Sequence, residues 1–316
     1  MQRFVWLLLA GTALACSSAS SGGAGAGGVA LMSGFSPPAA PAEGTGWQFI
    51  TPIITDITPG ASDEYCTWTD VVAKEDTWIN ATKGYQSEGG HHVVFYYQSP
   101  PVAPTTRLCT NEDMAEFKFG LAPNGGTEQT ILPGDLAVKI PAGAQIVINH
   151  HYLNANTKPI AQAQSALNVY FADPNKPKTQ AGAIAVTNTS MTVPVGASAY
   201  DVNCTFNKAY NLFELLPHMH AWGTHVNVDH TSSSGTERIF DVDWNPDYAF
   251  DISAIAKFWD ISKPYQIQAG DSVHIECDYM NTTNAALPFG NEMCVLFGMT
   301  INSDDLACDG GRWTQF

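Results

Sequence analysis

AQIVINHHYLN, residues 144–154, is a short run rich in Ile, Val and Tyr, preceded by Gly143 and closed by Asn154. Runs of the same kind recur on both sides: HHVVFYYQ (91–98), LAVKIPAG (136–143), SALNVYFA (165–172), AIAVTN (183–188), HVNVDH (225–230), SVHIECDYM (272–280) and MCVLFGMTI (293–301). Gly, Pro and Asn clusters separate them. That spacing predicts an all-β chain built of antiparallel β-sandwiches. DISAIAKFWDI (251–261), opening on Asp251, is the one segment that reads as a short helix.

The 316 residues, 45% of them hydrophobic, accommodate two domains or one large β domain. ADPNKPKTQAG (172–182) is rich in Pro, Lys and Asn and offers little to bury. It places a boundary near Lys178, between a first domain over 47–178 and a second over 179–316. Net charge is -16 and the basic residues never gather into a run, so nucleic acid is not an expected partner.

The N-terminus, MQRFVWLLLAGTALAC, has one Arg, a short apolar run and then small residues, the pattern of a secretory signal over 1–15. Its end, Ala13-Leu14-Ala15-Cys16, resembles a bacterial lipobox, although the Leu usually stands one position earlier. Lipidation at Cys16 and a place in the bacterial cell envelope are therefore expected, with the lipid as the only membrane attachment. Residues 16–46, mostly Gly, Ala, Ser and Pro, read as a flexible tether.

Six cysteines remain: Cys66, Cys109, Cys204, Cys277, Cys294 and Cys308, none in a CxxC. In an exported chain an even, scattered set argues for three disulfides, and sequence alone leaves fifteen pairings open. The domain boundary leaves Cys66 and Cys109 together in the first half.

Histidines are clustered: His91-His92, His150-His151, and His218 with His220 in LPHMHAWG, while His225, His230 and His274 stand alone. Imidazole suits copper, zinc and iron, and a metal site needs several to converge. On a strand, His218 and His220 project from one face together with Leu216 and Trp222. Two half-exposed histidines near a strand end carry the same pattern, so the spacing alone decides nothing. Met293 in PFGNEMCVLFGMT, sharing a strand face with Val295, Phe297 and Met299, reads by itself as core, the usual place of a Met in such a stripe.

Taken in order, GG-His91-His92-VVFYY, VIN-His150-His151-Tyr152, LP-His218-M-His220-AWG and NE-Met293-Cys294 resemble the copper type II, ascorbate-dependent monooxygenases, the family of peptidylglycine alpha-hydroxylating and dopamine beta-monooxygenases. The resemblance spans about residues 60 to 310. It implies two tandem, jelly-roll-like β-sandwiches, each holding one copper across an open cleft. His91, His92 and His151 are then ligands of an electron-transfer copper, and His218, His220 and Met293 of a catalytic copper. Asn149 stands at the family's polar position two residues before the His-Tyr histidine. His150 is extra, and faces away from His151 if the run is a strand. The resemblance further implies disulfides Cys277–Cys294 and Cys204–Cys308, with Cys66–Cys109 as the first-domain bridge.

Three imidazoles accommodate both Cu(I) and Cu(II), whereas a thioether favours Cu(I). The implied reaction is hydroxylation of a C–H bond with O2, electrons coming from ascorbate or another one-electron donor and passing from the first copper to the second. Ligand histidines must be neutral, so acid is expected to release the first copper before the protein unfolds.

Departures from the family bear on substrate. Peptidylglycine enzymes have a carboxylate-binding arginine where this chain has Leu216, and an Asn and a Tyr where it has Val295 and Phe297. An unpaired buried carboxylate is costly, so a small neutral or apolar substrate is expected, in a pocket lined by Leu216, Val295, Phe297 and Met299. Glu214, of the same strand parity as His218, is either a contact for an amine or a solvated surface residue. A monomer is expected. Two rivals stand beside the enzyme: an extracytoplasmic copper-binding or delivery lipoprotein without turnover, and a surface-anchored binding module whose histidines are incidental.

Overall fold

Strands carry nearly all of the regular structure in the computed structural model, which describes residues 29–123, 129–154, 156–249 and 254–315. The expected signal segment and Cys16 lie outside the described residues. The chain is all-β, in packed sheets. Gln145–Leu153, the strand of the opening run, is central to a five-stranded sheet. Its order is Thr105–Leu108, Ser62–Val72, Gln145–Leu153, Gly90–Gln98, Lys118–Leu121, with every neighbouring pair antiparallel.

Alternation along Gln145–Leu153 divides the work between the two faces of this sheet. Ile146 and Ile148 point inward and join a core with Ile79, Leu167 and Val169 of the facing wall. Each such side chain, once fully buried, contributes about 1.5–3 kcal/mol. Val147 points outward and is buried under Trp68, Phe117 and Cys66. Both faces are therefore covered, and a nine-residue strand in which only Leu153 keeps partial exposure results.

The facing wall comprises Gly46–Ile50, Ser165–Phe171, Thr77–Gln86 and Leu136–Ile140, and it is one end of a twelve-stranded sheet. Thr179–Thr187 continues that sheet by pairing in parallel with Leu136–Ile140, Thr179 opposite Leu136 and Gln180 opposite Ala137. Val295–Ile301, Tyr210–His218 and Lys257–Phe258 follow. A four-stranded antiparallel sheet, Gly196–Thr205, Ser272–Asn281, Gly223–Ser232 and Gly235–Asp243, covers this second part around Leu212, Val226, Ile275 and Leu296. The halves flanking Lys178 thus share one continuous sheet. They also share core: Ala181, Phe213 and Met299 pack into the first half's cluster. Pairing is not wholly antiparallel either, since Thr179–Thr187 is parallel to Leu306–Asp309 as well.

Two expectations are corrected. Residues 30–45, read as tether, lie along the first sandwich: Gln164 holds the carbonyl of Ala30 and the N–H of Met32, and Asn168 holds the carbonyl of Ala39. Phe35 is buried there against Tyr85, which supplies the apolar anchor that a Gly-rich composition concealed. Within 254–261 there is no α-helix; Lys257–Phe258 pairs instead with Glu214 and Leu215. The α-helix of the described residues is Asn111–Glu116, started by a capping box between Thr110 and Asp113. No helix among the described residues is long and apolar enough to cross a membrane.

Disulfides join Cys66 to Cys109, Cys204 to Cys308 and Cys277 to Cys294.

Candidate metal centre

His91, His92 and His151 offer three ring nitrogens within 4.8 Å of one another on the outer face of the five-stranded sheet. His151 stands opposite His92 on one neighbouring strand and opposite Glu64 on the other. Successive residues of a regular strand face opposite ways, so His91 and His92 would ordinarily diverge. The register slips between His151, which pairs with His92, and Tyr152, which pairs with Gly90. His91 is the extra residue of this bulge, and a bulge re-aims a side chain. Its ring lies 4.9 Å from that of His151 and 5.0 Å from that of His92.

Outer contacts fix which nitrogens are available. His92 Nε2 lies 2.9 Å from Asn149 Oδ1, and Asn149 Nδ2 donates to Glu64 Oε1 at 2.8 Å. An amide oxygen only accepts, so His92 carries hydrogen at Nε2, and its Nδ1 lies 3.0 Å from His91 Nδ1. His151 Nε2 is held at 2.8 Å by Ser62 Oγ. Burial drives the pKa of His91 well below the ordinary histidine value, and that of His151 down to about 3, assisted in both cases by the charge of neighbouring histidines. Burial opposes ionisation of Glu64, yet its contacts with His92, the charge of His151 and the Asn149 amide hold the carboxyl at about 2.

His150 faces the other way, as expected. It is fully buried, hydrogen-bonded at 3.0 Å to Thr67 Oγ1 and at 3.3 Å to Tyr152 OH, and stacked on Tyr65.

The second group is assembled differently. Tyr210–His218 ends on His218, and His220 follows in the loop, not on the strand, with ring centres 5.0 Å apart. Met293 also precedes its strand, Val295–Ile301, whose pairing of His218 with Val295 brings the two strand ends together. Glu292 joins them: this fully buried carboxylate accepts from the backbone N–H groups of His220, Trp222 and Met293. Trp244 Nε1 donates to the carbonyl of His220 at 2.8 Å and Tyr279 OH to that of Met293 at 2.7 Å. The Cys277–Cys294 bridge fastens the residue after Met293. Burial pushes His218 well below the usual histidine range and His220 down to about 4.

No open cleft separates the groups. His91 and His220 rings stand edge to face with centres 5.7 Å apart, so five histidines form one continuous cluster. A donor set of this kind fits copper: three imidazoles on one side and two on the other, where the Met293 backbone shares the Glu292 carboxylate with His220 and a thioether is a soft ligand type. His218 Nδ1 is buried with no hydrogen-bond partner, a cost that a bound metal would remove.

The expected substrate face is mostly closed. Leu216 and Val295 are buried, and Met299 belongs to the core shared with the first half rather than to a pocket. Phe297 is 39% exposed, its ring 5.9 Å from that of His218. Glu214, opposite Met299, is not the solvated residue considered above: burial raises its pKa to about 7. Glu64 and Glu292 went unread in the sequence. Only the Glu-Met-Cys triplet hinted at the latter.

No protein-family model matches the chain, and no curated protein matches it in sequence. Among solved structures, dimeric latent PorU from Porphyromonas gingivalis aligns at 8% identity and a TM-score of 0.17, over 78% of this chain and 25% of that one. The chain thus spans about a quarter of that protein's length. A structure of infectious bursal disease virus, Gx strain, aligns at 8% identity and a TM-score of 0.13 over 84% of each chain. Neither similarity bears on function.

Proposed function

We propose that the chain is a copper-dependent monooxygenase of the bacterial cell envelope, with two coppers held by His91/His92/His151 and by His218/His220/Met293. The observation that carries this reading is the convergence of both histidine groups, from separate halves of the chain, into one cluster whose rings meet at His91 and His220. When bound, copper would supply O2 activation and one-electron chemistry. In the overall change a C–H bond becomes C–OH, O2 takes two electrons and two protons, and water is released. The electrons come from ascorbate or another one-electron donor.

The protein's own groups hold and shield. Asn149 and Ser62 set the orientation of His92 and His151, while Glu292 keeps the His220 and Met293 segments in register. Burial keeps His151 and His220 neutral, as ligands must be. Phe297 presents an apolar ring beside His218, and Leu216 supplies no charge, which suits a small neutral or apolar substrate.

A second reading, a copper-binding or delivery lipoprotein without turnover, draws support from that closed substrate face. Oxygen uptake by the copper-loaded protein with ascorbate and a panel of phenols, aromatic amines and alkanes separates the two. The enzyme reading expects hydroxylated product and its loss in Met293→Ile; tight copper without product from any compound contradicts it.

A further inference from the structure

Glu64 lies two strands away in sequence from any histidine, yet strand register sets it in one row with His151 and His92 on the outer face of the five-stranded sheet. Among the described residues no lysine or arginine pairs with it, and its ion-pair contact is His92 Nε2 at 3.7 Å. Its stronger link runs through Asn149. A carboxylate oxygen accepts and never donates, so the Asn149 atom 2.8 Å from Glu64 must be the amide nitrogen. That choice turns Asn149 Oδ1 toward His92 Nε2, which must then carry the hydrogen. The lone pair of a neutral His92 is left on Nδ1, the atom that faces His91 Nδ1. Asn149 is fully buried against Cys109 and Met114 and has no room to reorient freely.

We propose that Glu64 is a positioning residue of the first group: through Asn149 it locks His92 in the tautomer that offers Nδ1 to the metal, and its charge favours Cu(II) over Cu(I) there. The proposal rests on the reading of His91, His92 and His151 as copper ligands. Outer partners of metal-bound histidines act in this way, fixing tautomer and orientation.

The test uses the full chain carrying His218→Ala and His220→Ala, so that only the first group remains, titrated with Cu(II) and, separately, Cu(I) against competing chelators. Adding Glu64→Gln should weaken Cu(II) by about 10–100-fold and Cu(I) by a smaller factor. In the metal-free protein, 15N spectra of the histidines should show His92 losing its Nε2–H preference. Asn149→Leu, which keeps the Glu64 charge, should disturb the tautomer equally while changing the Cu(II)-to-Cu(I) ratio less. Unchanged Cu(II) affinity and an unchanged His92 tautomer in Glu64→Gln would overturn the proposal. Equal weakening of both oxidation states would overturn its charge component. A parent that binds no copper overturns the ligand assignment itself, a different failure from a parent that binds and a Glu64→Gln variant that matches it.

Discussion

The two histidine groups sit against each other but are built in opposite ways. His92 and His151 stand on central strands of a five-stranded sheet, placed by register, with His91 turned in by a bulge. His220 and Met293 lie in loops beyond the strand ends, placed by the Glu292 carboxylate and the Cys277–Cys294 bridge. A strand-borne site inherits the rigidity of the ladder around it. A loop-borne one depends on a few identifiable side chains, and those are where it is vulnerable.

Acid attacks both groups, and its effect is the largest expected. Burial lowers His150 and His151 to about 3 and His220 to about 4, from an ordinary value of 6.5, and moves His91 and His218 in the same direction. Between these limits the unfolded chain binds more protons than the folded one, so stability rises with pH. It is complete above 6.5 and is lost as pH falls toward 4 and then 3. His150, His151 and His220 each withdraw on the order of 3 kcal/mol by pH 4, at about 1.4 kcal/mol per pH unit. Thermal melts of the metal-free protein should therefore collapse across this range. The same burial keeps His91, His151, His218 and His220 neutral in the folded protein, so copper bound there should be released together with unfolding rather than before it. Copper lost to a chelator while near-UV circular dichroism remains native would contradict this.

Glu292→Ala should come next. It strips partners from three backbone N–H groups, at a cost of about 3 kcal/mol or more, and should abolish copper binding at the second group while the first keeps its metal. Denaturant unfolding and metal analysis of the same sample check both. Replacing Cys277 and Cys294 by Ser opens a loop spanning 17 residues, worth about 3 kcal/mol in the chain-entropy picture. Cu(I) affinity should fall at the second group alone. If either change released copper from the first group equally, the contrast between a strand-borne and a loop-borne site would fail. Phe297→Ala should be the mildest, shifting stability by about 0.5 kcal/mol or less as an exposed site, leaving copper untouched and raising KM for an apolar substrate.

Fold class was legible because Ile146, Ile148 and their counterparts alternate with residues that also had to be buried, giving short β-branched runs cut by Gly and Pro. Candidate ligands were visible as clusters, but their grouping came from the resemblance, since His-x-His spacing alone fits a bland strand end. The rest depended on distant pairings. Local sequence does not reveal that His91 occupies a bulge, that Glu64 falls opposite His151, or that Glu292 reaches three amides from two loops. The shared sheet, which sets His91 beside His220, hangs on the short parallel pairing at Thr179 and Gln180. Gln164 and Asn168 likewise fasten a Gly- and Pro-rich segment that composition presents as free chain.

Copper content after loading and dialysis tests the central claim most directly, measured on the parent, on His218→Ala/His220→Ala and on His91→Ala/His92→Ala. The account predicts two coppers per chain in the parent and one in each double variant. No stoichiometric copper in the parent, or two retained in either variant, would contradict it.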